Sequence, residues 1–253
     1  MRALYAAASG MAAQQNRLDN VANNLANVST TGFKKSRQAF QDLYYQELTT
    51  GGAGKSAAPV QLGSGVRTAA ISRDLTQGSI TQTGNPLDVA ISGDGFLSLE
   101  AEDGQIFYTR DGSLRTNAEG TLVTASGVPL AGGITVPSDV DKVEIAEDGT
   151  ISGRFAGQDT FTTLGQLEVV SFGNPAGLEA VGGNLYRQSA QSGDPQTVDT
   201  TQATVVQGYL EGSNVDVAQE LVEMILAQRS FELNSKAVQA ADDTLQIAVN
   251  LKR

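Results

Sequence analysis

The 253-residue chain contains no cysteine and no histidine. Thiol nucleophiles, imidazole bases, the usual zinc and haem ligands and every histidine-dependent triad are therefore excluded. The lack of cysteine leaves the redox compartment open, because such a chain tolerates reducing and oxidising surroundings equally. Aromatic residues make up only 6% of the chain while glycines number 28, a balance that favours turns and small side chains. Long apolar runs are missing too. None approaches the roughly 18 residues of a membrane span, and the apolar start Leu4 to Ala8 breaks at Ser9-Gly10, too short for a secretory h-region. Any export is expected to use a route without a cleaved signal peptide. Positive charge is scarce: the formal net charge is −11. Residues 1–50 carry five Lys/Arg against three Asp/Glu, whereas residues 51–207 carry eight against eighteen. An acidic surface argues against nucleic acid or anionic lipid as the main partner, and Lys34, Lys35 and Arg37 form the one basic cluster.

The chain ends differ from its middle. All six prolines lie between Pro59 and Pro195, and Ser213 to Arg253 contains neither proline nor glycine. Near the N-terminus Leu4, Met11, Leu18 and Leu25 recur every seven residues, with Ala7, Val21 and Val28 on a companion line that Gln14 interrupts. This is a heptad seam. It predicts a helix over about residues 3–29, ended by Gly32 in the left-handed conformation. The C-terminal segment repeats the pattern with Val217, Met224, Phe231, Val238 and Leu245, widened by Leu221, Ile225 and Val249. Ser213 or Asn214 is expected to cap it, with Asp216 and Glu220 placing negative charge near its N-terminus. Each seam is the natural partner of the other, in an antiparallel coiled coil. Packing of either helix on the middle domain as an ordinary amphipathic surface helix is the alternative.

Between the helices, short alternating runs are punctuated by Asp94-Gly95, Asp103-Gly104, Asp111-Gly112, Glu119-Gly120 and Asp148-Gly149. Such pairs favour tight turns. They predict a meander of strands at 96–99, 106–109, 113–115 and 121–124. Residues 49–66, rich in Gly, Ala, Ser and Thr, read as a loop or extended arm. The expected class is α+β: long terminal helices around a mainly antiparallel β domain. The expected division is 1–30 with 213–253 as a helical assembly domain, 31–80 as a connecting segment and 81–212 as the β-rich domain.

Catalytic motifs are weak. Gly51 to Ser56 imitates a phosphate-binding loop, but Thr49 replaces its first glycine and Pro59 blocks the helix that should follow. Asp94, Glu102, Asp103, Asp111 and Glu119 could supply a pair of carboxylates for sugar hydrolysis, yet most sit where turn chemistry alone places Asp. No calcium loop with a closing Glu is present. Asn27-Val28-Ser29 matches a glycosylation pattern at a helix end, where capping explains it equally well. No catalytic, cofactor or metal site is expected. Asn20, Asn23, Asn24 and Asn27 are more informative, because four asparagines within eight residues are costly in a solitary helix. They are expected to hydrogen-bond across helix contacts with neighbouring subunits and fix register there, a polar face in water being the alternative.

Asn23 to Lys34, read Asn-Asn-Leu-Ala-Asn-Val-Ser-Thr-Thr-Gly-Phe-Lys, resembles the N-terminal signature of bacterial flagellar rod and hook proteins. Glu211 to Asp216, Glu220 to Ile225 and Gln228 to Glu232 resemble the C-terminal signature, with Ser230-Phe231 where Ala-Tyr is common. Leu62 to Arg67, Gln77 to Ile80, Leu87 to Ile91 and Tyr108 to Gly112 look most like the distal-rod branch. The proximal-rod and hook-type branches are the alternatives within the family, and a carboxylate-dependent wall hydrolase is the alternative outside it. The resemblance implies a non-enzymatic subunit, exported by the flagellar type III apparatus, that polymerises into a helical tube spanning the periplasm. It implies other rod subunits and the hook protein as neighbours, and peptidoglycan and outer-membrane ring proteins as surroundings. The expected subunit-interface residues are Leu4, Met11, Leu18, Asn23, Asn24, Leu25, Asn27, Gly32, Phe33, Val217, Leu221, Met224, Phe231, Val238 and Leu245.

Overall fold

A computed structural model describes residues 2–48, 60–101, 103–198 and 200–250. The chain divides into two units. The first comprises Met1–Ala26, Ser36–Arg73 and Asp216–Arg253; the second comprises Asn27–Lys35 and Asp74–Val215.

In the first unit, helix α1 spans Arg2–Ala26 and helix α2 spans Val217–Asn250. Their lengths are about 38 and 51 Å at 1.5 Å per residue. The alanine-rich, proline-free sequence of α1 favours helix, but α1 stops three residues before the expected end. At that point the Asn27 side chain accepts from the Thr30 hydroxyl at 3.1 Å and its carbonyl from the Thr30 N–H at 3.2 Å. Such local bonds compete with the helical ladder. Helix α2 is capped by Asp216 rather than by Ser213 or Asn214. Its Oδ1 accepts from the Ala218 and Gln219 N–H groups at 2.9 and 3.2 Å.

Strands β1 (Ser36–Asp42), β2 (Tyr45–Leu48), β3 (Val60–Gly63) and β4 (Val66–Arg73) complete this unit. β1 pairs antiparallel with β4 from Ser36↔Arg73 to Asp42↔Val66, with a bulge at Ala39/Phe40, and β2 pairs antiparallel with β3. The loop expected over 49–66 is thus strand from Val60 to Gly63 and again at Val66; the glycine-rich stretch 49–59, including the loop that imitates a phosphate site, lies outside the described residues. A two-stranded ribbon has no second layer of its own, and most of its side chains are exposed.

The second unit runs through β5 (Ile80–Gln82), β6 (Val89–Gly93), β7 (Phe96–Glu100), β8 (Ile106–Thr109), β9 (Leu114–Thr116) and β10 (Leu122–Thr124). It continues through β11 (Val140–Ile145), β12 (Thr150–Phe155), β13 (Phe161–Gln166), β14 (Val169–Ser171) and β15 (Glu179–Gly182). It closes with β16 (Leu185–Arg187), β17 (Gln196–Thr197), β18 (Ala203–Gln207) and β19 (Tyr209–Glu211). The strand pairs are antiparallel, and the largest sheet has the order β15-β16-β8-β7-β14-β17. The chain is therefore α+β. All four strands of the expected meander form, but the meander itself does not. β8 lies between β7 and the distant β16, while β9 pairs with β10 alone.

Strand β7 is buried on both faces. Leu97 and Leu99 enter the main core with Val89, Ile91, Leu122 and Ile151, while Phe96 joins Tyr108, Phe172 and Tyr186 in edge-to-face aromatic contacts. Among the Asp/Glu-Gly pairs, Gly104, Gly120 and Gly149 adopt positive φ as turn chemistry predicts. Among the described residues no helix is long and apolar enough to cross a membrane.

Candidate assembly surfaces

The two helices touch through small and polar residues rather than through the large apolar seam alone. Ala7, Ala13, Val21 and Asn24 are buried on α1, and Glu220 and Ala227 on α2. At Gly10 an added Cβ would stand 2.9 Å from Asn234 Nδ2, so the backbone of α1 comes close there because it carries no side chain. Arg17 forms an ion pair with Glu223, and Asn24 Nδ2 donates to Glu220 Oε2 at 3.2 Å. Partners climb along α2 (220, 223, 234) as they descend α1 (24, 17, 10), so the contacts run in opposite directions.

Asn24 also grips the backbone of Ser36, donating to its carbonyl at 3.0 Å and accepting its N–H at 2.9 Å; Asn20 donates to the same carbonyl at 3.0 Å. These two asparagines therefore fix the start of the ribbon. Ser9 Oγ accepts the Val66 N–H at 3.2 Å and ties the ribbon's other strand to α1.

The outer side of α2 is the prominent open surface of this unit. Val217, Leu221 and Ile225 follow one another at four-residue spacing, and Val222, Leu226 and Leu233 extend the arc; all six are exposed, Ile225 at 57% and Leu233 at 66%. At 100° per residue this arc faces away from Glu220, Ala227 and Asn234. Helix α2 thus carries an exposed apolar arc in addition to the mixed polar and small face that it turns to α1, the pattern of a helix built to be covered on more than one side. Beyond its contact with α1 it continues with Leu245, Ile247 and Val249, all exposed.

The expected interface residues separate into three groups. Leu4, Met11, Leu18, Leu25, Met224, Phe231 and Val238 are half-buried along the helices, and Asn27 is half-buried in the turn after α1. Asn23, Val217, Leu221 and Leu245 are exposed. Asn24, Gly32 and Phe33 are buried within the chain itself. Asn24 is occupied by Ser36 and Glu220, and Gly32, at φ +66°, donates its N–H to the Glu211 carbonyl at 2.8 Å.

In the second unit, Gly32 and Phe33 lead into a buried ionic cluster. Lys34 is fully buried, its Nζ donating to Glu211 Oε1 at 2.5 Å and to the Thr76 carbonyl at 2.8 Å. The other Glu211 oxygen accepts from Arg110 Nη1 at 3.4 Å, and the Arg110 guanidinium lies 5.1 Å from the Phe96 ring centre. Burial pushes the Lys34 ammonium below the ordinary lysine range, and the hydrogen bond and charge of Glu211 pull it back. The same opposition acts on Arg110. Asn214 completes the cluster. Its Oδ1 accepts the Lys35 N–H at 2.8 Å, and its Nδ2 donates to the Asp74 and Thr76 carbonyls at 2.8 and 3.1 Å. Lys34, Arg110, Glu211 and Asn214 all lie within the segments that resemble the family's signatures, but nothing in those segments pairs them. Lys34 and Glu211 stand 177 residues apart, and no local pattern connects them.

Of the candidate carboxylates, Asp103 and Asp111 do turn work, each accepting at 3.1 Å from the backbone N–H two residues on, as Asp148 of the Asp148-Gly149 turn does at 2.9 Å. Glu102 lies outside the described residues. Among the described residues no group of carboxylates is arranged to hold a metal ion.

Comparison with known proteins places this architecture. Flagellar basal-body rod protein FlgG of Agrobacterium fabrum is 43% identical over 262 residues, covering 100% of both chains. The chain belongs to the flagellar basal-body rod protein family. The FlgG of Buchnera aphidicola from Acyrthosiphon pisum is 44% identical over 253 residues and 96% of each chain. The FlgF of Caulobacter vibrioides is 34% identical over 252 residues, covering 97% of this chain and 94% of its own. Residues 4–34 match the family described as flagella basal body rod protein, and residues 90–153 match the D1 domain of flagellar hook protein FlgE/F/G. Residues 206–251 match the C-terminal family of flagellar basal body rod FlgEFG proteins. The rod family is structural, so this chain is a structural subunit and not an enzyme; the wall-hydrolase alternative falls with that assignment. Both ionic partners Lys34 and Glu211 lie inside matched segments, at the end of the first and near the start of the last.

Proposed function

We propose that this rod subunit builds the distal rod, the shaft that carries torque from motor to hook, by polymerising through its terminal helices. The exposed apolar arc of α2, Val217, Leu221, Ile225, Val222, Leu226 and Leu233, carries the reading. One partner helix covers one side of α2, and copies of the same chain cover the other. Higher identity to FlgG than to FlgF supports the distal position over the FlgF-type position.

In this reading α1 and α2 form an antiparallel coiled coil whose half-buried residues Leu4, Met11, Leu18, Leu25, Met224, Phe231 and Val238 contribute to the subunit interface together with the exposed Asn23, Val217, Leu221 and Leu245. Residues 1–30 with 213–253 act as the assembly domain, the part of the connecting segment 31–80 around Phe33 to Val66 bridges to neighbours, and 81–212 form the outer wall of a helical tube spanning the periplasm. Other rod subunits and the hook protein are the axial neighbours, peptidoglycan and outer-membrane ring proteins surround the tube, and the type III apparatus exports the chain without a cleaved signal.

Sedimentation and electron microscopy of the full chain beside a chain trimmed to residues 27–215, which keeps Lys34, Arg110 and Glu211 together, test this. Filaments or tubes are expected from the full chain alone. Equal polymerisation of the trimmed chain would remove the helices from the mechanism.

A further inference from the structure

In the second unit one buried carboxylate residue binds three separate stretches of chain, at residues 32–34, 78 and 110. Glu211, 1% exposed, accepts from Lys34 Nζ at 2.5 Å, from the Gly78 N–H at 2.8 Å and from Arg110 Nη1 at 3.4 Å; its backbone carbonyl takes the Gly32 N–H at 2.8 Å. We propose that Glu211 is the keystone of a lock that holds the segment Asn27–Lys35 in place only once strand β19 has been seated. The chain leaves this unit at four places, after residues 35 and 215 and before residues 27 and 74, and each lies in or beside a stretch bonded in this cluster. Asn214 closes the lock alongside Glu211. It binds Lys35 N–H, Phe33 carbonyl, Asp74 and Thr76 through its side chain and its own N–H.

The electrostatics make the lock conditional. Lys34 and Arg110 are two buried cations that share one carboxylate, and Arg110 Nε has no hydrogen-bond partner among the described residues. Burial alone disfavours both charges, and Glu211 offsets this most strongly, with the charge of Asp74 adding to it at Lys34 and that of Asp94 at Arg110. Without Glu211 the cations repel one another in a site poor in water, and the segment that carries Lys34 is the one free to leave. The main apolar core contains no residue from 27–35, so it has no need of the segment to stay packed. Phe33 is the segment's only buried large apolar side chain among the described residues. The lock therefore opens locally and as a unit.

Hydrogen exchange read by mass spectrometry on the full chain tests this with Glu211→Gln. Protection of peptides covering 27–35 and 74–79 is expected to fall roughly a hundredfold, the consequence of stranding buried charge, while peptides over β6, β7 and β12 keep theirs. Adding Lys34→Met to Glu211→Gln removes the stranded cation that the segment itself carries, ends its repulsion with Arg110, and is expected to restore protection of 27–35 to within about tenfold of the parent chain. Loss of protection across β6, β7 and β12 as well would show that Glu211 supports the whole unit and would overturn the lock. Unchanged protection in Glu211→Gln, or failure of the double variant to recover, would overturn it equally.

Discussion

A methyl group at Gly112 would lie 1.7 Å from the Val89 carbonyl oxygen, so the second residue of Asp111-Gly112 is fixed by close packing and not by a left-handed turn. Gly112→Ala is expected to destabilise the second unit by about 1–3 kcal/mol through overpacking, read as a lower urea midpoint with the slope unchanged. The pair was legible as a turn; its reason was not, because nothing in a dipeptide tells which backbone will pass over it. Lys34 offers a pH test. Burial holds its ammonium below the ordinary value of about 10.4. Between its folded value and that ordinary value the unfolded chain binds more protons than the folded one, so this group makes stability rise with pH in that window. Tyr108, pushed up chiefly by burial, works in the opposite sense as pH passes about 10. The useful quantity is therefore the parent chain minus Lys34→Met, compared by urea unfolding below and within the window. The gap in stability is expected to shift in favour of the parent as pH rises; a flat difference would count against the assignment.

At the scale of elements, the heptad pattern located both helices, and the Asp-Gly spacing located four strands to within a residue or two. What it missed was partner choice. β7 and β8 are joined by a short turn and do pair, but β8 takes its second neighbour, β16, from far along the chain, through Thr109↔Leu185 and Tyr108↔Tyr186, 76 and 78 residues apart. Long-range pairing depends on which apolar faces meet, and alternation in one strand says nothing about its neighbour. The helix cap shows a smaller version of the same limit. Asp216, read for its charge, is the cap itself, while Asn214, read as a cap, holds Lys35 and Thr76 instead. Asp216→Ala is expected to cost the first turn of α2 about 1 kcal/mol, visible as faster amide exchange confined to Ala218–Leu221. The asparagine run was legible as register-setting, but Asn20 and Asn24 set the register of their own ribbon by holding Ser36.

For the whole molecule, the proposed assembly draws on more than the seam residues identified from spacing. Sevenfold spacing selected Val217, Met224 and Phe231, whereas the face of α2 turned to α1 centres on Glu220, Ala227 and Asn234, a parallel line three residues along. That offset leaves Val217 and Leu221 on the outer arc with Ile225, available to other copies. In the proposed assembly, a heterologous contact through this arc grows into a rod where its rotation does not close into a ring. The most direct test replaces two residues of that arc, Leu221→Asp and Ile225→Asp, and follows the purified full chain by sedimentation and electron microscopy beside the parent. Neither side chain faces α1, so the helix pair is expected to form as before by circular dichroism while filaments are lost, because buried charge at a subunit contact is costly. Filaments of normal length and number from this double variant would contradict the claim that the outer face of α2 joins one subunit to the next.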